Sequence, residues 1–315
     1  MAVSKTKEIF RQENKSRKKF VEQFGHIFTS NIGSFHILRG RDELAGEKGY
    51  FRALTIAGSD NSGGAGIQAD IKTFSALGCY GMSVITALTA QNTQGVRGIQ
   101  EIPPQFVRQQ IMSILDDVGV DAVKIGMLFN TPVIKEVAKC LRENKVSPVV
   151  LDPVMFAKSG DRLLQEEAVD SIRQELFPLV TVVTPNILEA AALLGRPVES
   201  PEAMQQAAVD LCALGPQAVV VKGGSLSTRA SDDCLVVQGG QEQWLRQERI
   251  DTQNVHGTGC TFSSAITAFL ARSFTLEDAV RRAKKYLTEA LEAGAEKKLG
   301  QGKGPVMHFY KTWES

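Results

Sequence analysis

The sequence of 315 residues is poor in cysteine: its five cysteines are scattered, and no two form a Cys-x-x-Cys pair. An odd number at irregular spacing predicts neither a disulfide framework nor a cysteine-based zinc site. Free, scattered thiols are typical of a reducing compartment, which predicts a location in the cytoplasm.

Long apolar runs are missing as well. The longest uncharged stretch, 73–96, is interrupted by Gly78, Gly81 and the polar residues 90–95. It is therefore too short to span a membrane. We recognise no secretory signal either, so the sequence gives no reason to expect association with a membrane.

An excess of either charge is also missing, since the formal net charge is +1. Residues 1–49 hold ten Lys or Arg against six Asp or Glu, which leaves 26 against 29 for the rest. The slightly acidic remainder argues against nucleic acid as a partner. We expect residues 1–49 to be a poorly ordered or targeting N-terminal extension, or to reflect an upstream start site. Glu8, Glu13 and Glu22 argue against an organellar transit peptide.

From Tyr50 onward, the sequence does contain a regular alternation of apolar and amphipathic segments. Continuous apolar strands separated by helices form a mainly parallel sheet covered on both faces. We therefore predict one α/β domain over residues 50–315. The predicted strands are 52–58, 83–88, 122–128, 147–154, 180–186 and 217–224.

Local signals place several element ends. Ser200 followed by Pro201 predicts a helix start, and so does Thr275 with Asp278 three residues later. The two glycines at 239–240 predict the turn of a β-hairpin. One further helix is expected to bury Val107, Ile111, Ile114, Leu115 and Val118.

Polar residues follow the predicted strands. In open parallel sheets, ligands bind at the carboxyl ends of the strands, so we expect these residues to line one site. They are Gly58-Ser59-Asp60, Gln91-Asn92, Asp152-Pro153, Thr184-Pro185-Asn186 and Lys222-Gly223-Gly224.

The segment 256–260, His-Gly-Thr-Gly-Cys, opens a predicted helix of small residues. A helix start offers unpaired N–H groups and positive dipole charge, and glycines let a phosphate approach the backbone. The segment is thus a candidate anion cradle, with a tight strand–helix turn as the alternative. It is no Walker loop, because Gly-Lys-Ser/Thr is absent, and no Gly-x-Gly-x-x-Gly fingerprint follows the first strand.

Cys260 has three interpretations. A thiol at a helix start can have its pKa lowered from ~8.5 toward neutrality. Alternatively, it is an inert, small buried hydrophobe, as we expect of Cys79, Cys140 and Cys212. A covalent nucleophile with His256 as base is the third interpretation, but the sequence shows no partner that would orient the histidine.

Asp70 lies on the apolar side of its predicted helix, three residues after Ile67 and four before Phe74. An unpaired carboxylate there would be costly. We therefore expect either a cation beside it, most simply in a salt bridge, or a ligand hydroxyl.

Asn186 and Glu189 lie three apart on the first turn of a predicted helix and face the same way. They fit the waters around Mg²⁺ near a triphosphate. The alternative is an ordinary Asn cap with a Glu favoured by the helix dipole. Asp152 is a second candidate for magnesium, and Lys222, before two glycines, is a mobile charge for phosphate.

Six segments, in this order and spacing, closely resemble the hydroxymethylpyrimidine/phosphomethylpyrimidine kinases of thiamine biosynthesis, in the ribokinase-like superfamily. The resemblance is collinear from about Ala53 to residues 302–310. It implies an α/β fold with a central mostly parallel sheet flanked by helices in three layers. It also implies two ATP-dependent phosphorylations of 4-amino-5-hydroxymethyl-2-methylpyrimidine, with Mg²⁺, in a homodimer. The segments are 53–96, 124–128, 151–164, 184–194, 220–224 and 256–266.

The resemblance assigns a role to each matching residue. Those implied for the pyrimidine are Gln91, which grips it, and Gly58, Asp70, Met127 and Val154, which line its pocket. Those implied for the reaction are Cys260 near the reacting hydroxyl and the backbone of Gly257, Thr258, Gly259 and Cys260 as anion hole. Those implied for nucleotide and magnesium are Asp152, Thr184, Asn186, Glu189 and Lys222, with Asp152 and Glu189 at the metal.

The residue types suit these roles. A carboxamide offers a donor and an acceptor together, as the edge of an aminopyrimidine requires. Leaving such buried groups unpaired costs ~1–3 kcal/mol each, so Gln91 is expected to set specificity. The wider superfamily usually has aspartate where this chain has Cys260, which argues against a sugar substrate and means a weaker base. Phosphoryl transfer tolerates this, because positioning and charge stabilise its loose transition state.

Three other functions stay open. A pyridoxal kinase of the related cysteine-containing type fits a similar pocket, and kcat/KM for the two alcohols distinguishes it. A non-catalytic aminopyrimidine sensor would release no ADP when pyrimidine is added. A cysteine hydrolase would form a covalent adduct on Cys260.

Overall fold

The computed structural model describes residues 49–157, 160–226 and 229–313, so the predicted N-terminal extension, apart from Gly49, lies outside the described residues. Nine β-strands within these ranges form one sheet. They are β1 (Arg52–Asp60), β2 (Tyr80–Asn92), β3 (Gly95–Glu101), β4 (Ala122–Ile125), β5 (Val149–Leu151), β6 (Val182–Val183), β7 (Ala218–Lys222), β8 (Asp233–Val237) and β9 (Gln243–Leu245).

The strand order is β3-β2-β1-β4-β5-β6-β7-β8-β9. Six strands that are consecutive in the sheet, β2-β1-β4-β5-β6-β7, pair in parallel with one another. β3 pairs antiparallel with β2, and β8 and β9 form the antiparallel hairpin predicted around 239–240. The predicted mainly parallel sheet is confirmed, and the carboxyl ends of its central strands meet along one edge.

Helices connect the parallel strands. Ser200 and Thr275 cap two of them through their hydroxyl oxygens, as the sequence predicts. None of the helices in the described ranges combines the length and the apolar character that crossing a membrane requires. The helices are α1 (Gly66–Ala76), α2 (Pro104–Leu115), α3 (Thr131–Glu143), α4 (Ala168–Ser171), α5 (Ile187–Leu194), α6 (Pro201–Cys212), α7 (Thr258–Ala271) and α8 (Leu276–Gly294).

The sheet separates two apolar cores. Successive side chains of a strand point to opposite faces. Along β1, Leu54 and Ile56 therefore join a core that includes Val137 of α3, while Ala53 joins a core that includes Phe262 of α7. The structure thus has the predicted three layers, with the sheet in the middle.

Two details differ from the sequence predictions. β3 is missed by the apolar pattern because its sequence, GVRGIQE, holds two glycines and two charges and lies at the edge of the sheet. Val118 was expected to be buried, but α2 ends at Leu115 and the Val118 side chain is 38% exposed. That prediction is wrong, because the helical spacing does not continue past the end of the helix.

A buried ion pair joins two layers of the fold. Asp70 of α1 and Lys124 of β4 are 2.8 Å apart, and both side chains are fully buried. Thr55 of β1 and Ser264 of α7 donate hydrogen bonds to the same carboxylate at 2.7 and 2.6 Å. Burial alone would lower the pKa of Lys124, but Asp70 outweighs it and holds that pKa above its usual value. The salt bridge considered for Asp70 is confirmed.

We predict that Lys124→Met strongly destabilises the fold, because it leaves the Asp70 carboxylate buried without a counter-charge. Removing one partner of a buried pair costs about 3–5 kcal/mol of unfolding free energy. The control is Lys139→Met, since Lys139 pairs with Glu143 at 4.0 Å on the surface. Such an exposed pair is worth about 0–1 kcal/mol. Urea unfolding measures both variants, and equal small losses would contradict the prediction.

Candidate active site

A cavity of about 870 Å³ opens at the carboxyl ends of the parallel strands. The polar strand ends predicted to meet do meet there. Most residues with an implied role line this cavity: Gly58, Gln91, Met127, Asp152, Val154, Asn186, Glu189, Lys222, Gly257, Thr258, Gly259 and Cys260.

Two predicted site residues are not part of the lining. Asp70 is fully buried in its ion pair with Lys124. Thr184 is also fully buried, and its hydroxyl lies 3.4 Å from a carboxylate oxygen of Asp152. Their implied roles at the pyrimidine and the nucleotide stay predictions.

The segment 257–260 forms the first turn of α7. Gly257 caps the helix with φ of +77°, and a Cβ there would lie 1.9 Å from the Gly64 carbonyl oxygen. Only glycine fits such a position. No side chain caps this helix, so the N–H groups of Gly259 and Cys260 are available to an anion in the cavity.

The pKa of Cys260 differs from the sequence expectation. Burial raises the pKa of the thiol to about 11, although Lys124 nearby and a hydrogen bond from the Gly66 N–H act in the opposite direction. The proposed lowering toward neutrality is therefore wrong. The helix start favours the thiolate less than burial disfavours it, so the group is a neutral thiol near pH 7.

Lys222 and Asp152 form a second ion pair at the cavity. The Lys222 Nζ and Asp152 Oδ1 atoms are 2.8 Å apart, and a Cβ on Gly259 would lie 3.3 Å from Lys222 Nζ and from the other carboxylate oxygen of Asp152. Burial alone would lower the pKa of Lys222, but Asp152 and Glu189 outweigh it and raise that pKa. A cation thus lies directly against the first turn of α7.

Asn186 and Glu189 form a capping box at the start of α5. The Asn186 side chain accepts from the N–H groups of Leu188 and Glu189, and the Glu189 carboxylate accepts from the Asn186 N–H. The alternative given for these residues, an Asn cap with a Glu in the first turn, is thus what the structure contains. Burial raises the pKa of Glu189 to about 7, with Lys222 acting in the opposite direction.

Asp152 and Glu189 are the carboxylates proposed for magnesium, and both line the cavity. Within the described parts of the chain, no group of three or more His, Cys, Asp or Glu side chains could hold a metal ion. Mg²⁺ usually takes only one or two carboxylates and fills its shell with waters and phosphate oxygens. The pair therefore fits a hydrated magnesium ion bound together with a nucleotide.

Gln91 lies near the end of β2, where the pairing with β3 is irregular between Ala90 and Gln91. Its N–H donates to the Asn61 side chain at 2.7 Å. On the neighbouring strand β1, a Cβ on Gly58 would lie 2.9 Å from the Met127 sulfur. The absence of a side chain at Gly58 thus leaves Met127 its place in the cavity wall.

Asp60 is one of the strand-end residues expected to line the site, and it does, but the sequence assigns it no chemical role. Its carboxylate lies 2.9 Å from the His256 Nε2 atom. Burial alone would raise the pKa of Asp60, but hydrogen bonds from His256, Ser62 and Gln91 outweigh it and hold the pKa far below its usual value. The only sequence signal is its place directly after an apolar strand, at the start of a glycine-rich loop.

Asp60 also bears on the third interpretation of Cys260. An ionised carboxylate only accepts hydrogen bonds, so the Nε2 atom of His256 carries a proton and donates a hydrogen bond to Asp60. That nitrogen is therefore not a base for the thiol, which weighs against a cysteine hydrolase.

Comparison with known proteins gives the family. The family model described as phosphomethylpyrimidine kinase matches residues 60–307. The hydroxymethylpyrimidine/phosphomethylpyrimidine kinase of Escherichia coli is 49% identical over 262 residues, which cover 83% of this chain and 98% of that protein. The chain belongs to the phosphomethylpyrimidine kinase family. The predicted resemblance and the enzyme class, a kinase, are confirmed.

Solved structures agree in fold. Phosphomethylpyrimidine kinase from Clostridium difficile is 42% identical with a TM-score of 0.68, over 76% of this chain and 99% of that one. Bacillus subtilis pyridoxal kinase in complex with ADP is 40% identical with a TM-score of 0.75, over 82% and 98%. The predicted ribokinase-like fold is confirmed.

We predict that Cys260 reacts slowly with iodoacetamide at neutral pH, because only the thiolate is nucleophilic. Since its pKa is raised to about 11, the rate should rise roughly tenfold per pH unit between 7 and 10 without a plateau. Mass spectrometry of the labelled peptide gives the rate, and Cys260→Ala identifies its signal. A plateau near pH 7–8 would contradict the raised pKa.

Proposed function

We propose that the protein transfers the γ-phosphoryl group of ATP to the hydroxymethyl group of 4-amino-5-hydroxymethyl-2-methylpyrimidine, and then adds a second phosphoryl group to give the diphosphate. One observation carries this proposal. A single cavity holds an amide suited to an aminopyrimidine, a free helix start, a lysine and a thiol, in Gln91, 257–260, Lys222 and Cys260. A recognition group, an anion site and a candidate base thus share one space.

The pyrimidine would lie between Gln91 and the wall formed by Gly58, Met127 and Val154. Met127 is 7% exposed and packs with Ala87 and Leu163 in a small apolar cluster. This apolar wall suits the ring and its methyl group, while the amide of Gln91 meets the polar edge of the ring. The hydroxymethyl arm would then point toward Cys260.

The migrating phosphoryl group would lie against the N–H groups of Gly259 and Cys260. Donors fixed before the reaction stabilise the charge of the transition state without reorganisation. Lys222 adds a positive charge next to this turn, because Gly259 has no side chain to separate them. Phosphoryl transfer depends on positioning and charge of this kind more than on proton removal.

Magnesium would be held through waters by Asp152 and Glu189, and when bound it would offset the charge of the ATP phosphates. Asp152 is already oriented by Lys222 and by the Ser263 hydroxyl, which donates to it at 3.3 Å. Glu189 is oriented by its capping bond to the Asn186 N–H. Both carboxylates are thus fixed in place by the chain itself.

Cys260, as thiolate, would accept the proton of the hydroxymethyl group. Its raised pKa makes this form scarce at neutral pH, and the buried charge of Lys124 favours it. The reaction tolerates a scarce base because its loose transition state places little charge on the attacking oxygen.

The direct test is a time course with ATP, Mg²⁺ and hydroxymethylpyrimidine. We expect the monophosphate to appear first and the diphosphate after it, both resolved by chromatography, with one ADP released for each step. Binding of the pyrimidine without ADP release would instead identify the protein as a sensor.

We predict that Gln91→Leu raises the pyrimidine KM far more than the ATP KM. The substitution leaves the polar edge of the ring unpaired, which costs about 1–3 kcal/mol and raises the KM roughly 5- to 150-fold. Steady-state kinetics with each substrate varied in turn measures the two constants. Equal changes in both would show that Gln91 does not select the pyrimidine.

We predict that Cys260→Ala lowers kcat by roughly 10²–10⁴-fold, the usual contribution of a general base. The dissociation constant of ADP, measured by calorimetry, should stay the same, because the backbone N–H groups remain. Cys212→Ala is the matched control, since Cys212 is buried in the core around α6. Unchanged turnover in Cys260→Ala would exclude the base role.

Pyridoxal phosphorylation is the second candidate, because of the structural similarity to a pyridoxal kinase at a TM-score of 0.75. Comparing kcat/KM for pyridoxal and for hydroxymethylpyrimidine under the same conditions decides between them.

A homodimer and a location in the cytoplasm stay predictions. Light scattering tests the first, and cell fractionation tests the second.

A further inference from the structure

Asp60 organises the glycine-rich loop between β1 and α1. One carboxylate oxygen accepts from the N–H and the hydroxyl of Ser62, at 2.8 and 2.7 Å. The other accepts from the N–H groups of Gly64 and Ala65, at 3.1 and 2.8 Å. The side chain is 1% exposed, so these bonds are shielded from water.

The same carboxylate also reaches the second glycine loop. The His256 Nε2 atom donates to it at 2.9 Å, from a position directly before the turn 257–260. The two loops are in contact, since a Cβ on Gly257 would overlap the Gly64 carbonyl oxygen. The backbone N–H of His256 donates a hydrogen bond to the Gly304 carbonyl oxygen at 2.9 Å, which also fixes the backbone of the histidine.

The loop also contacts the strand that carries Gln91. The Asn61 side chain, next to Asp60 in the chain, accepts a hydrogen bond from the backbone N–H of Gln91 at 2.7 Å. The loop that Asp60 organises therefore lies against both Gln91 and the segment 256–260.

We infer that Asp60 is a positioning residue, which holds the loop that contacts Gln91 through Asn61 against the anion site at 257–260 through His256. The inference rests on the proposed function and deepens it. Asp60 would act on both halves of the reaction, because a shift of its carboxylate moves the pyrimidine and the anion site relative to each other.

Four variants test this role: Asp60→Asn, His256→Leu, His256→Gln, and Asp60→Asn combined with His256→Leu. We expect Asp60→Asn and His256→Leu each to lower kcat/KM for the pyrimidine roughly 10²-fold, the usual effect of a misalignment of about 1 Å. The ATP KM should change by less than about threefold, since Lys222 and Asp152 are untouched. His256→Gln keeps a donor in place of Nε2 and should stay within about fivefold of the wild type.

One further readout separates positioning from general stability. The double variant should lose no more than about 10²-fold in total, because both changes break the contact between Asp60 and His256.

The matched control is Asp121→Asn. Asp121 accepts from the Arg52 N–H and pairs with the Arg52 side chain, both at 2.7 Å, at the opposite end of β1. It should change stability without changing kcat/KM for the pyrimidine or the ATP KM. Additive losses of about 10⁴-fold in the double variant, or a loss of about 10²-fold in His256→Gln, would overturn the inference. Failure of the wild type to phosphorylate the pyrimidine would instead refute the proposed function.

Discussion

The contact between Asp70 and Lys124 is the constraint on which the active site depends. Asp70 belongs to α1, Lys124 to β4, and Ser264 of α7 donates to the same carboxylate. Both helices begin in the glycine loops that form the site. A buried ion pair contributes little net stability against an apolar packing of the same volume, but separating its partners leaves a charge unpaired in the interior. The pair thus ties the two helices, whose first turns border the site, to the central strand β4.

Burial decides the chemistry at this edge of the sheet. In the described ranges, every buried side-chain nitrogen or oxygen has a hydrogen-bond partner. Buried charges such as Lys222 and Asp152 form ion pairs. At Cys260, burial outweighs the nearby charge of Lys124 and raises the pKa, so the group stays a neutral thiol. The same low polarity strengthens every contact of a bound phosphate with the helix start.

The sequence predicts the parts of this fold that depend on local pattern. Apolar strands, the caps at Ser200 and Thr275, and the meeting of polar residues at the strand ends are all confirmed, because each depends on neighbours in the chain. Edge strand β3 is missed, since an exposed edge needs no apolar pattern.

The parts that sequence reasoning could not supply depend on distant contacts. Asp60 and His256 are 196 positions apart, and Asp70 and Lys124 are 54 positions apart. No periodicity connects residues at such separations. The thiol of Cys260 is a second example, because the amount of chain that covers a helix start is a tertiary property. The helix start alone predicts a lowered pKa for this thiol, whereas burial in the folded chain raises it.

The pairing of Lys222 with Asp152 has a consequence for the anions of the cell. A bare lysine beside a free helix start would attract sulfate or inorganic phosphate as readily as a nucleotide tail. Here the lysine is paired with the Asp152 carboxylate at 2.8 Å, which offsets part of its attraction for a small anion. Occupancy by abundant simple salts is thereby discouraged, and the cavity favours a molecule large enough to make contacts along its whole length.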